Sequence, residues 1–149
     1  MIKVISAVAI LALGYFLFFN ESSPKTIYFH GMEYGPKQLD RSNDSNSKIF
    51  KYYSQSVSNR DYISILHPDS GTGSLSEWSD MFSTHFERQG FKFSNVGGNK
   101  VGVKNTVKIF MMNSHKYNVV FMYVLEDIKT SDHLDQRNLF RHLDAIVLD

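Results

Sequence analysis

The chain has 149 residues, 42% of them apolar and 21% charged, with 16 basic side chains against 15 acidic ones and a formal net charge of +1. That near balance argues against bulk nucleic-acid binding and against a strongly acidic substrate. With no cysteine in the chain, disulfide staples, thiolate metal sites and cysteine nucleophiles are excluded.

The first element is the most apolar one. Val4 to Phe19 carries no charge, follows Met1-Ile2-Lys3 and gives way to Asn20-Glu21-Ser22-Ser23-Pro24-Lys25. Signal-peptide cleavage wants small residues at the end of such a run, where this chain has Tyr15, Phe16, Leu17, Phe18 and Phe19. A retained signal-anchor transmembrane helix over residues 1–20 is therefore expected, with secretion after cleavage as the alternative. A helix from Met1 to Phe19 rises about 28 Å, close to the hydrocarbon thickness of a bilayer. Lys3 and the α-amino group place the N-terminus in the cytoplasm and the rest outside it. On this reading the chain meets the membrane through residues 1–20, residues 21–25 are a linker, and residues 26–149 form a single globular domain.

Thr26 to His30 reads as a first strand stopped by Gly31, and Met32 to Ser47 reads as a loop with Gly35-Pro36 and a polar run from Asp40. Ile49 to Val57 and Tyr62 to His67 are β-rich runs around Ser58-Asn59-Arg60-Asp61, a hairpin signal. Ser74-Leu75-Ser76-Glu77 is a capping box that opens a helix from Leu75 to Gln89. Leu75, Trp78, Phe82 and Phe86 share one face of that helix, Met81 and His85 widen it, and Gly90 suits its end.

Phe91 to Asn95 and a turn at Val96-Gly97-Gly98-Asn99 lead into Lys100 to Met112, which alternates along most of its length. Read as one strand, it puts Val101, Val103, Val107, Ile109 and Met111 on one side and Lys100, Lys104, Thr106 and Lys108 on the other. Asn105 falls on the apolar side and marks a bulge or bend. Tyr117 to Leu125 is apolar on both faces, as a central strand must be. A last helix from about Asp132 to Val147 turns Leu139, Leu143, Ile146 and Val147 inward. The expected fold class is α+β: an N-terminal transmembrane helix, then an antiparallel sheet packed on one face by two helices.

Chemical signals are sparse. Ser70-Gly71-Thr72-Gly73-Ser74 is a glycine-rich turn before a helix N-terminus, a place where anions bind, although such residues more often make a tight turn and cap. The six histidines show no metal-ligand spacing, and no Gly-x-Ser-x-Gly is present, so no metal, cofactor or catalytic residue is assigned. From Arg88 to Leu125 there is no acid, while Lys92, Lys100, Lys104 and Lys108 are basic. A lysine face could meet an anionic lipid headgroup, a glycan or an acidic protein, against the plainer role of solubilising a sheet.

The functional expectation is a non-enzymatic, membrane-anchored envelope protein. Its outer domain binds another envelope protein or scaffolds an assembly, without nucleic acid and with its oligomeric state open. The alternatives are an anionic-ligand module working through the lysine face, and a small hydrolase at the turn before Ser74 that uses His67 or Asp69.

Overall fold

The computed structural model describes residues 23–40, 47–55, 61–69, 71, 73–126 and 135–149. Strands β1 (Ile27–Phe29) and β2 (Met32–Tyr34) form a small antiparallel ribbon. Its turn, His30-Gly31, holds both residues at positive φ. The chain then runs through β3 (Gln38–Leu39), β4 (Lys48–Tyr53), β5 (Asp61–His67), helix α1 (Leu75–Arg88), β6 (Lys92–Val96), β7 (Asn99–Lys104), β8 (Val107–Ser114), β9 (Val119–Leu125) and helix α2 (Gln136–Asp144). Strands β3 to β9 make one antiparallel sheet in the order β3-β4-β5-β9-β8-β7-β6. β9 lies at its centre and every residue of it is buried, which is why both of its faces are apolar.

The sheet is covered on both faces. On one, Ile63, Ile65, Phe110 and Phe121 pack with Ile27, Phe29 and Tyr34 of the ribbon and with Leu139, Phe140 and Leu143 of α2. On the other, Ile49, Leu66, Met111, Val120 and Met122 pack with Leu75 and Trp78 of α1. The two helices therefore lie on opposite faces, not on one. Alternation along β9 sends Val119, Phe121 and Tyr123 to the first face and Val120 and Met122 to the second.

The expected fold class is corrected accordingly. The described residues are mainly β, 45% strand against 22% helix, and none of their helices is long and apolar enough to cross a membrane. The transmembrane helix expected over residues 1–20 lies outside the described residues.

Three local expectations also change. The segment read as a loop from Met32 supplies β2 and β3, because a two-residue strand with Gly35-Pro36 before it leaves little periodicity to detect. α2 is shorter than expected, from Gln136 to Asp144, and beyond it Ile146 and Leu148 are buried while Val147 is 61% exposed. That alternation is the signature of extended chain, not helix. The third change matters most for the lysines. Lys100 to Met112 is not one strand but the hairpin β7–β8, turned at Asn105-Thr106 with Asn105 at φ 50°. Lys104 pairs with Val107 and Val103 with Lys108. Directly opposed residues share a face, so the turn sends Lys108 to the face opposite Lys100 and Lys104.

The helix start is as the sequence indicates. The Ser74 amide donates to the Glu77 carboxylate at 2.6 Å, and the Glu77 amide donates to Ser74 Oγ at 3.2 Å. One glycine has a clear packing reason. Gly102 faces Phe93 across β6 and β7, and a Cβ there would come within 2.5 Å of the ring. The ring lies flat where a side chain would otherwise stand.

Candidate functional site

Seven strands spaced about 4.8 Å apart span roughly 29 Å, whereas one helix is only about 10 Å wide. α1 packs mainly on β8, β9 and β6, so it leaves part of the sheet above β4 and β5 uncovered. A cleft of about 450 Å³ opens there. Its floor is Ile49 of β4, Ser64 of β5, and Met122 and Val124 of β9. Met81, Phe82, His85 and Phe86 of α1 form one wall, and Asp40, Lys51 and Tyr62 stand at the opposite rim.

The rim carries the charge. Lys51 Nζ lies 3.0 Å from the Asp40 carboxylate and 5.5 Å from the centre of the Tyr62 ring. Burial works against the Lys51 ammonium, but the Asp40 hydrogen bond and the neighbouring Tyr62 outweigh it and raise its pKa. Burial likewise pushes the Tyr62 phenol up, against the opposing pull of Lys51. The result is a firmly protonated cation beside an aromatic ring, at the mouth of an apolar floor.

Ser64, His85 and Asp40 all line this cleft, which raises the question of a nucleophile and base. The geometry does not assemble one. His85 Nε2 lies 2.9 Å from the Gln89 side-chain amide, Asp40 is engaged by Lys51, and no hydrogen bond links Ser64 or His85 to Asp40. Among the described residues no group of three or more His, Asp or Glu side chains could hold a metal ion.

The lysines singled out from the sequence do not form one surface. Lys100 pairs with the Asp80 carboxylate and donates to Ser83 Oγ at 2.9 Å, tying β7 to α1. Lys104 donates to the Gln89 carbonyl at 2.5 Å, placing a cation at the C-terminus of α1 where the helix dipole favours it. Lys108 lies on the other face by register, and Lys92 joins it there through its pairing with Val103 on edge strand β6.

In the glycine-rich turn, Ser70 and Thr72 lie outside the described residues. Gly71 and Gly73 have φ of 90° and 124°, and the Ser74 amide is taken by Glu77. The carboxylate of Glu77 thus stands where a bound anion would. His67 has a different partner, Ser23, whose Oγ is 2.6 Å from its Nε2. Its ring also meets Phe50 edge-on, and Lys37 donates to the Ser23 carbonyl at 3.0 Å. Those contacts fasten the start of the described chain to β5.

Sequence reasoning missed the cleft because its residues come from four elements. One signal was available: Lys51 interrupts the apolar alternation Ile49, Lys51, Tyr53 on one side of β4, a charge set among residues that should face a core. No family model, curated protein or solved structure matches the chain.

Proposed function

We propose that this protein is a binding domain which seats a compact amphipathic group, an apolar body with an anionic head, in the cleft between α1 and strands β4 and β5. The observation that carries the reading is the Lys51 ammonium at the rim of a cleft whose floor is largely apolar, with Ile49, Met122 and Val124. The cleft volume lies in the range that holds small ligands or a single anchoring side chain. An ammonium has three donors, so Lys51 can accept a second acidic partner while keeping Asp40. Met81, half exposed on the wall, is a pliable side chain suited to partners of varied shape. The same chemistry is presented by the C-terminal residue of a partner protein and by a small amphiphile, and the partner protein is our preferred source.

The test uses 8-anilino-1-naphthalenesulfonate, an apolar ring system with an anionic head, titrated into the full chain. Lys51→Met and Met81→Glu should each weaken its binding about tenfold, by removing the cation or setting a like charge beside the head. A leucine-terminated peptide with a free carboxylate should displace the dye, and its C-terminal amide should not. Dye binding that both substitutions leave unchanged would sink the proposal.

A further inference from the structure

We propose a second site, on the opposite face of the sheet, that binds a phosphate monoester carried on an apolar group, using Arg137 and Arg141 of α2. A cavity of about 410 Å³ lies between α2 and the turn joining β6 to β7. Arg137 and Arg141 both line it. Four positions apart on a helix, they project from the same side, and two cations so placed repel each other.

Neither guanidinium has an ion-pair partner among the described residues, and Asp144, which also lines the cavity, forms none with them. Among the described residues, two arginines thus stand together and unneutralised at a cavity. An oxyanion between them would relieve the repulsion. Each guanidinium presents a planar fork of N–H donors that matches two oxygens of a tetrahedral oxyanion. A phosphate dianion can neutralise both cations, whereas a carboxylate neutralises one.

The remainder of the cavity determines what the phosphate is attached to. Phe140 and Met112, each 6% exposed, and the half-buried Val96 form an apolar floor beneath the arginines. Phe110 braces the Phe140 ring edge-on at 5.9 Å, so this floor is fixed. At the turn, Gly97 has φ 58°, and the space a Cβ would occupy holds no atom within 4 Å. The cavity is open on that side, which gives an ester room to enter. Nothing in this site is shared with the α1 cleft, so either can fail without the other.

The experiment titrates phenyl phosphate into the full chain and follows backbone amide shifts. Saturable binding near 1 mM or tighter is expected, roughly the strength of two charge-assisted contacts and a small apolar group. The amides of Gly97, Asn99 and Phe140 should move. Arg137→Ala and Arg141→Ala should each weaken binding about tenfold, and the double variant should abolish it. Both residues are exposed, so circular dichroism of the variants should match the parent. Arg88→Ala, on the other face, should bind as the parent does. Benzoate binding as tightly as phenyl phosphate would overturn the phosphate assignment. No saturation by phenyl phosphate, shifts confined to other regions, or undiminished binding by the double variant would overturn the site.

Discussion

The Tyr34 hydroxyl donates to Asp61 Oδ2 at 2.6 Å, joining the β1–β2 ribbon to β5 across 27 positions of sequence. Asp61 is 2% exposed, and the same oxygen accepts from Tyr123 of β9 at 2.8 Å. Its Oδ1 is buried with no protein partner among the described residues. Two neutral donors therefore hold one buried carboxylate at the junction of three strands. Burial pushes both phenols well above their ordinary range, and the Asp61 carboxylate that each faces adds to the rise.

Asp61→Ala should destabilise the domain by about 3 kcal/mol, because two buried hydroxyls lose their acceptor. Tyr34→Phe should cost only about 1–2 kcal/mol, since Tyr123 still satisfies the carboxylate. Chemical denaturation of both variants measures this. A midpoint for Asp61→Ala equal to that of the parent would remove the network from the account of stability. The phenols also set an alkaline limit. Their folded pKa lies above the unfolded value, so their contribution is complete below about pH 10 and declines above it, as the unfolded chain releases protons the native state retains.

An acid-side counterpart sits at the other end of the ribbon. The rings of His30 and His142 lie 4.0 Å apart between the β1–β2 turn and α2. Burial, and then the neighbouring His142, lowers the His30 pKa. With the folded pKa below the unfolded one, the unfolded state takes up the proton first. Stability from His30 is thus present above about pH 6.5 and lost as pH falls through its folded pKa. His142→Ala should move the His30 titration, followed by ring-proton resonances, back toward its ordinary value. An unmoved titration would show that the contact between the rings has no electrostatic consequence.

Trp78, the only tryptophan, is 8% exposed and packs in the core beneath α1, with its ring centre 6.5 Å from that of Phe82. Trp78→Ala should cost about 3–5 kcal/mol, a large part of the stability of a domain this size. Thermal unfolding followed by circular dichroism checks it. An unchanged midpoint would mean that α1 contributes little to the fold. That result would also undermine the cleft, since α1 forms one of its walls.

What could be read from the sequence follows from how local each signal is. The capping box at Ser74 and Glu77 involves residues three apart, and the central position of β9 is declared by its own double-sided apolar run. The placement of α1 and α2 on opposite faces is not local. It depends on which alternate residues of β9 face which helix, and a strand apolar on both sides leaves that undecided. The α1 cleft is harder still to foresee, because it exists only where a narrow helix fails to cover a wide sheet. Arg137 and Arg141 were visible as a basic pair four apart, but their neighbours Val96, Gly97 and Met112 arrive from strands far away in sequence.

The lysine alternation breaks at one residue, Asn105, and that residue supplies the sharpest remaining test. At φ 50° it occupies the left-handed region, where asparagine and glycine are at home and β-branched residues are strained. Asn105→Val should therefore destabilise the protein by about 1–2 kcal/mol, and Asn105→Gly should leave it unchanged or slightly more stable. If residues 100 to 112 were instead a continuous strand, valine would improve its β propensity and fill the apolar side, and the sign would reverse. Denaturant midpoints of the two variants decide between these outcomes. A stabilising valine would reject the β7–β8 hairpin and return Lys108 to the face of Lys100 and Lys104.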